Sequence, residues 1–256
     1  MIVLDVQNIW KRFTIPHERR RTVLDHVAGT FSFLVGKRYS YEVLWALKDV
    51  SLKVGQGKCF GIIGPNGSGK STLLKIIASV MKPDKGTISV NGSVAPILEL
   101  GLGFHPDLSV RENALIYGVL LGLSRSDVRK RIGSIMDFAG LQRFEDVQLK
   151  TLSSGMLIRL AFSIAIQAEP DIFLVDEVLT VGDAEFQQKC LQKFREFKQE
   201  KKSIVLVSHN LYLVKDFCEE ALYLRNGQTV ASGPSKDVTD QYFDDLKGST
   251  GTAGPS

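Results

Sequence analysis

The 256-residue sequence predicts an α/β fold in which a parallel sheet is interrupted by an α-helical subdomain. Three short, continuous apolar runs support this prediction: "CFGIIGP", "DIFLVDE" and "SIVLVSH". Runs of this kind, without alternation, are typical of strands buried on both faces of a parallel sheet. Helical patterns follow the first two runs, and a longer helical block separates the first run from the other two.

The order of these patterns predicts the domain boundaries. The core comprises residues 1–93 and 163–245. Hydrophobic residues make up 44% of the chain, which is enough to fill a sizeable core. Residues 94–162 form the helical subdomain, and residues 14–44 form an insertion that fits no regular pattern. Small polar residues dominate 246–256, so we expect a linker or tail there.

Local signals place two elements within this frame. Ser124 is a suitable N-cap and Gly140 a suitable C′ residue for one helix of the subdomain. Asn226 and Gly227 predict the turn of a β-hairpin. One face of the capped helix carries Val128, Ile132, Ile135, Met136 and Ala139.

The charge of the chain is unevenly distributed. The whole chain carries a formal +4, whereas residues 11–38 hold seven basic and two acidic side chains. A net charge this small does not imply a nucleic-acid partner, and we expect none. The basic segment is either a solvated loop at the edge of the site or a surface that faces anionic lipid headgroups.

Cysteine usage and hydropathy predict where the protein acts. Cys59, Cys190 and Cys218 form no CxxC pair, which favours a reducing compartment and argues against a cysteine-based metal site. The N-terminus lacks the apolar core of a signal peptide, and no apolar run reaches the length of a membrane span. We therefore expect a cytoplasmic protein.

The segment "GPNGSGKS" at 64–71 matches GxxxxGK[ST] between a buried strand and a helix. Its glycines allow backbone N–H groups to surround phosphates, Lys70 supplies charge to the β and γ oxygens, and Ser71 can bind Mg²⁺. Thr72 can add a phosphate contact. A chance glycine turn would explain "GPNG" but not the whole motif in this context. The candidate nucleotide-binding residues are Gly64, Pro65, Asn66, Gly67, Ser68, Gly69, Lys70, Ser71 and Thr72.

Two other strand ends carry groups suited to phosphate chemistry. Asp176 is a candidate Mg²⁺ ligand, and Glu177 beside it is a candidate general base for an attacking water. The alternative interpretation is that these two acidic residues only begin a helix and have no role in catalysis. His209 follows "SIVLVS", where the carboxyl edge of the sheet meets a ligand, so a contact with the γ-phosphate is favoured over a structural role.

A second helix start also suits an anion. The stretch "LSSGMLIRL" at 152–160 places small residues before an apolar helix, whose first N–H groups lack intrahelical partners. The phosphate loop already provides one anion-binding helix start. A single bound nucleotide therefore does not account for a second one.

The motifs "GPNGSGKST", "LSSGM", "LVDE" and "VSH", in this order, resemble the nucleotide-binding subunit of ABC transporters over about residues 1–245. The resemblance implies a P-loop NTPase with a RecA-like parallel-sheet core, an antiparallel β subdomain and an inserted α-helical signature subdomain. It also implies ATP and Mg²⁺ as cofactors, and an integral membrane permease as partner. Such subunits form a head-to-tail homodimer, so Ser153 and Gly155 would contact the nucleotide held by the other subunit.

Departures from the usual family pattern point to one branch. Ser154 and Met156 replace the second Gly and the Gln of the common signature, while Asp183 still matches the Asp of the D-loop. The Gln expected to line Mg²⁺ is not evident, and Glu99 is nearest to its position. With "DEVL", "VGDAEFQQKC" and "ELGLGFHP", these features resemble exporters of O-antigen, teichoic acid and capsule chains. The resemblance implies a lipid-linked polysaccharide substrate and a peripheral location on the inner membrane face.

Some assignments stay open on the sequence alone. Phe13 is the first choice for the aromatic ring that stacks on adenine, with Tyr39 or Tyr41 next, although each is also suited to a core position. A soluble ATPase of the same fold would usually carry two cassettes or a coiled coil, and neither is evident. A module that binds ATP without hydrolysis is disfavoured by the presence of Lys70 and Glu177.

Overall fold

The structure is a computed structural model that describes residues 1–17, 40–97, 100–176 and 183–250. Three predicted site residues, Tyr39, Glu99 and Glu177, lie outside the described residues, as does the basic run Arg19–Arg21. The predicted α/β architecture is confirmed by the described elements.

The described strands are β1 (Ile2–His17), β2 (Ser40–Gly55), β3 (Cys59–Ile63), β4 (Lys85–Val90), β5 (Val94–Ile97), β6 (Ile172–Asp176), β7 (Ser203–Val207), β8 (Glu220–Arg225) and β9 (Gln228–Pro234). The described α-helices are α1 (Lys70–Ile77), α2 (Val110–Leu120), α3 (Arg125–Ala139), α4 (Ser154–Ala165), α5 (Ala184–Gln199), α6 (Leu211–Phe217) and α7 (Ser235–Thr250). No α-helix among the described residues is both long and apolar enough to cross a bilayer.

A six-stranded sheet, ordered β5-β6-β7-β3-β8-β9, forms the centre of the core. Its first five strands are parallel, and β9 closes one edge as the antiparallel partner of β8. The apolar runs that predicted parallel strands are β3, β6 and β7, which are buried along almost their whole lengths. The Asn226-Gly227 hairpin turn is also confirmed, since it joins β8 to β9.

A three-stranded antiparallel sheet, ordered β2-β1-β4, packs beside the parallel sheet. Side chains from β1 and β2, such as Ile9 and Leu47, share one apolar cluster with Leu73 and Leu74 of α1 and Ile62 of β3. The cluster holds the start of α1 between the two sheets. The β1–β2 ladder pairs His17 with Ser40, so both ends of the predicted insertion 14–44 are strand.

The helices α2, α3 and α4 form the inserted subdomain around a cluster of their own. The predicted caps of α3 are confirmed: Ser124 Oγ accepts from the Asp127 backbone N–H, and Gly140 is left-handed. The helix α4 belongs to both parts, since Leu160 and Ile164 pack in the subdomain while Phe162 packs against the sheet.

Two predicted boundaries need correction. Residues 94–97 are not helical subdomain but the edge strand β5, which pairs in parallel with β6. Four apolar residues are too few to distinguish strand from helix by periodicity, and Pro96 is compatible with an edge strand. Residues 246–250 are not linker or tail but the end of α7, a helix whose Tyr242 packs on Tyr223 of β8 with ring centroids 4.6 Å apart.

Candidate functional site

The phosphate loop leaves β3 and enters α1 through three glycines with left-handed backbone. Gly64, Gly67 and Gly69 have φ values of +145°, +75° and +106°. A Cβ atom at Gly69 would lie 2.6 Å from the carbonyl oxygen of Ala46, and one at Gly64 would overlap that of Leu224. Glycine is therefore required at 64 and 69 for both conformation and space.

Three features of this loop suit a bound anion. Lys70 is 6% exposed, and its Nζ donates to the carbonyl oxygens of Gly64 at 2.8 Å and Pro65 at 2.9 Å. The N-cap of α1 is Gly69, which offers no side-chain bond to the first backbone N–H groups. The buried Ser68 hydroxyl has no hydrogen-bond partner within the described residues. The loop thus combines one ammonium with unsatisfied donors at a helix start.

A cavity of about 470 Å³ opens onto the loop. Of the three aromatic candidates for stacking on adenine, Phe13 lines this cavity, whereas Tyr41 is 60% exposed and does not line it. The described lining residues are Phe13, Leu44, Trp45, Ala46, Lys48, Asn66, Gly67, Ser68, Gly69, Lys70, Ser71, Thr72 and Asn226.

Five of these lining residues were missed by sequence reasoning: Leu44, Trp45, Ala46, Lys48 and Asn226. Trp45 reaches the cavity because β2 pairs with β1, with Leu44 opposite Phe13. Its ring and that of Trp10 form a T-shaped pair with centroids 5.5 Å apart, and the Arg12 guanidinium lies 5.9 Å from the Trp45 ring. An aromatic residue just before "ALKDV" was visible, but only the strand register places it beside the loop.

The parallel register brings the candidate Mg²⁺ ligand and the histidine to the same edge of the sheet. Asp176 lies opposite Val207, and Val207 lies opposite Ile62. His209 comes two residues after Val207, and Gly64 comes two residues after Ile62. The ends of β7 and β3 therefore lie next to each other, at the point where the phosphate loop begins. Asp176 is half-buried and His209 exposed.

The donor types at this edge fit Mg²⁺. Ser71 is exposed at the start of α1, and Asp176 ends β6. Among the described residues, no three His, Cys, Asp or Glu side chains converge as a self-sufficient metal site. Mg²⁺ typically takes one or two protein oxygens and completes its shell with phosphates and water, which matches a hydroxyl and a carboxylate beside the loop.

The signature segment lies at the start of α4, away from this cavity. Ser153 is the N-cap of α4, and its Oγ accepts from the Met156 backbone N–H at 3.3 Å. A Cβ atom at Gly155 would meet no atom within 4 Å. Neither residue is among those that line the cavity. Within one chain the described residues therefore form two separate helix starts, both accessible to an anion.

Asp183 connects the signature helix to the segment that follows β6. It is the N-cap of α5, where its Oδ1 accepts from the Phe186 backbone N–H at 2.8 Å. Its Oδ2 lies 3.3 Å from Arg159 Nη1 of α4. Arg159 also donates from Nε to the carbonyl oxygen of Ala139 at the end of α3.

Comparison with known proteins now identifies the family. The family described as ABC transporter matches residues 47–180, which include the phosphate loop, the signature segment and the end of β6. This chain belongs to the ABC transporter family. The resemblance inferred from the motifs is confirmed, and the chain is an ATP-binding cassette, the ATPase subunit of such a transporter.

Relatives of this cassette include named export proteins. The O-antigen export system ATP-binding protein RfbB of Klebsiella pneumoniae is 40% identical over 243 residues, 94% of this chain and 97% of that protein. The protein of that name from Myxococcus xanthus is 45% identical over 212 residues, 82% of this chain but only 48% of its own length. The teichoic acids export ATP-binding protein TagH of Bacillus anthracis is 42% identical over 206 residues, 80% of this chain and 37% of that protein.

Solved structures share the fold of this cassette. The structure of an ATP-binding subunit of an ABC transporter has a TM-score of 0.72 at 23% identity, covering 94% of this chain and 93% of that chain. The dimeric, ADP- and Pi-bound cassette MJ0796 has a TM-score of 0.70, also at 23% identity, with coverages of 91% and 98%. Both agree with the predicted P-loop NTPase fold.

Proposed function

We propose that this cassette binds ATP with Mg²⁺ in a head-to-tail homodimer and hydrolyses it to drive export of a lipid-linked polysaccharide through a separate membrane permease. The cavity of about 470 Å³ is the observation that carries the proposal, because it joins Phe13 to residues 66–72 of the candidate phosphate loop. A planar base beside an aromatic ring and a triphosphate at a glycine-rich helix start are the two halves of an ATP site.

The residues of the loop divide the work of holding the nucleotide. Phe13 stacks on adenine, and the backbone N–H groups of residues 66–70 surround the phosphates. The buried Lys70 would exchange its bonds to the loop carbonyls for phosphate oxygens, which accept stronger charge-assisted bonds. Thr72, half-buried on the first turn of α1, adds a phosphate contact.

Hydrolysis takes place at the carboxyl edge of the sheet. Mg²⁺, held by Ser71 and by Asp176 through water, would neutralise developing charge on the phosphates. Glu177, which follows Asp176 in the chain, accepts the proton of the attacking water, and His209 contacts the γ-phosphate. Glu99 is the candidate for the remaining position near the metal. Glu99 and Glu177 lie outside the described residues.

The dimer accounts for the second helix start. Ser153 and Gly155 cap the γ-phosphate that the other subunit holds, and Asp183 lies at the same interface. The separation of the signature from the cavity within one chain supports this arrangement. An exposed serine N-cap beside an open Gly155 leaves the first N–H groups of α4 accessible to a partner's nucleotide.

A surface on the helical subdomain suits the permease. Leu102, Ile116, Val119 and Leu120 are exposed apolar side chains, at 69%, 41%, 43% and 64%. A Cβ atom at Gly103 would lie 3.1 Å from Leu120, so the loop before α2 rests on that helix. We assign this patch to contact with a membrane subunit, which would place the cassette on the cytoplasmic side of the inner membrane.

The names of the relatives support the substrate class. Both RfbB proteins are named for O-antigen export, and the match to the Klebsiella protein spans almost all of both chains. Teichoic acid export is the second candidate, favoured by the 42% identity to TagH. Both substrates are long glycans built on a lipid carrier, so the ATPase site serves either one.

A genetic experiment tests the proposal. The gene is deleted and complemented with wild type or with Lys70→Ala, and surface glycan and internal lipid-linked glycan are quantified. We expect surface glycan to be lost and the lipid-linked chain to accumulate inside, with recovery from wild type only. The composition of the accumulated chain separates O-antigen from teichoic acid. Normal surface glycan in the deletion strain would contradict the proposal.

A further inference from the structure

The turn between β8 and β9 contacts the phosphate loop and β2 at one place. Asn226 and Gly227 form the turn with φ values of +50° and +75°, as a two-residue type I′ hairpin requires. The Gly227 N–H donates to the Ser68 carbonyl oxygen at 3.1 Å, and the Gly227 carbonyl accepts from the Lys48 N–H at 2.7 Å. The backbone of the turn therefore links the loop to the strand.

Close backbone contacts hold the same three segments together. A Cβ atom at Gly227 would lie 2.6 Å from the Ala46 carbonyl oxygen, the distance that also separates this oxygen from a Cβ at Gly69. At the other end of the loop, a Cβ at Gly64 would overlap the carbonyl oxygen of Leu224. The loop thus meets Leu224 of β8 at its first residue, and Gly227 of the turn near its other end.

The bond from Gly227 constrains a donor of the loop. The Ser68 carbonyl and the Gly69 N–H belong to one planar trans peptide unit, so they point in opposite directions. Since Gly227 holds the Ser68 carbonyl, the Gly69 N–H points away from the turn. The orientation of one N–H group at the start of α1 is therefore set by a residue more than 150 positions later in the chain.

We propose that the β8–β9 turn is a positioning element of the nucleotide site. Gly227 holds the phosphate loop in the shape that accepts a triphosphate, and Asn226 is one of the residues that line the cavity. This inference rests on the proposed function, namely that the cavity binds ATP. Gly227 acts through Ser68 and Gly69 and does not itself contact the nucleotide.

Gly227→Ala tests the inference against a matched control. Gly122→Ala imposes the same kind of strain, since Gly122 has φ +93°, but its Cβ would meet no atom within 4 Å. Calorimetric titration measures the Kd of ATP and of inorganic tripolyphosphate, which lacks base and sugar. We expect Gly227→Ala to weaken both at least tenfold, and Gly122→Ala to bind both as wild type does.

Two further variants separate positioning from general destabilisation. Phe13→Ala should weaken ATP but leave tripolyphosphate unchanged, because it removes only the base contact. Asn226→Gly keeps the left-handed turn while removing the side chain, so ATP affinity should fall severalfold with an unchanged Tm. This variant provides the test if Gly227→Ala does not fold, and wild-type ATP affinity in it would then overturn the inference.

The remaining outcomes are also decisive. Wild-type tripolyphosphate affinity in folded Gly227→Ala, or an equal loss in Gly122→Ala, would overturn the positioning role. Failure of the wild-type chain to bind ATP at all, with no difference from Lys70→Ala, would instead refute the proposed function. The two failures are therefore distinguishable.

Discussion

Arg159 of α4 and Asp183 at the start of α5 form an ion pair, with Nη1 and Oδ2 3.3 Å apart. The Arg159 side chain is 24% exposed, and its guanidinium lies 5.2 Å from the ring of Phe186. The ion pair joins α4, which begins with the signature segment, to the start of α5. Both are proposed to face the partner's nucleotide. We interpret Arg159 as a positioning residue for that shared site.

Removing this link should impair hydrolysis without affecting nucleotide binding by one subunit. We expect Arg159→Ala to lower the rate of ATP hydrolysis about tenfold, which corresponds to about 1.4 kcal/mol. The Kd of ATP for the isolated subunit should stay unchanged. Arg131→Ala is the control, because Arg131 also joins the subdomain to neighbouring segments, through the Gln167 carbonyl and Glu169, but does not contact Asp183. An equal loss in both variants would contradict the positioning role.

The shared site itself is tested at Ser153. We expect Ser153→Arg to abolish hydrolysis while the isolated subunit still binds ATP, because the bulky cation blocks the site completed by the partner. Mixing it with Lys70→Ala subunits should recover part of the activity, since one of the two composite sites is then intact. Loss of ATP binding by the isolated Ser153→Arg subunit would refute the dimer.

Ser124→Arg controls for the loss of a helix cap. Ser124 caps α3 as Ser153 caps α4, each accepting a bond from a backbone N–H three residues later. Either substitution should lower the free energy of unfolding by about 1 kcal/mol. Only Ser153→Arg should stop hydrolysis, which a steady-state ATPase assay measures.

Glu177→Gln tests the general base. The amide keeps the size of the side chain but cannot accept the proton of water, so we expect turnover to fall about 100-fold or more. ATP should still bind and the ATP-dependent dimer should accumulate, as size-exclusion chromatography would show. Glu185→Gln is a control on an exposed carboxylate that pairs with Lys189. Normal turnover in Glu177→Gln would exclude Glu177 from the mechanism.

The basic run Arg19–Arg21 is predicted to serve export rather than hydrolysis. We expect replacement of all three by Glu to reduce surface glycan while the ATPase rate is retained, since each basic group near an anionic surface contributes about 1 kcal/mol. The control reverses three exposed basic residues of α3: Arg125, Arg129 and Lys130. Unchanged export in the Arg19–Arg21 variant would contradict a role in export. The insertion would then serve only to shield the edge of the nucleotide site.

Alkaline pH should destabilise the fold through Cys190. Burial raises the pKa of this thiol to about 12. In the unfolded chain the thiol loses its proton above about pH 9, while the folded chain retains it. Stability is therefore complete below about pH 9 and falls as the pH rises toward 12. The free energy of unfolding, measured with urea, should fall less steeply with pH in Cys190→Ala than in the wild type, by up to about 1.4 kcal/mol per pH unit. An identical pH dependence would contradict this role.

The sequence predicted those features of the fold and of the site that depend on residues close together in the chain. The phosphate loop, the cap of α3 and the hairpin at Asn226-Gly227 each depend on neighbouring residues, whose backbone preferences can be read directly. The boundary at residue 94 was wrong because β5 is strand through its pairing with β6, and a short apolar run alone does not reveal that pairing. Likewise, α7 continues through Thr250 in a helix that packs on β8.

By itself, the sequence determined the α/β class, the family and the chemistry of the phosphate loop, because glycine, lysine and serine at fixed spacing carry that chemistry wherever they fold. Only the tertiary structure decided which distant groups share the site. The β1–β2 ladder brings Trp45 to the cavity that Phe13 also lines, and the β8–β9 turn brings Gly227 onto Ser68. The physical reason is that strand register and backbone contact depend on long-range packing, which no local pattern encodes.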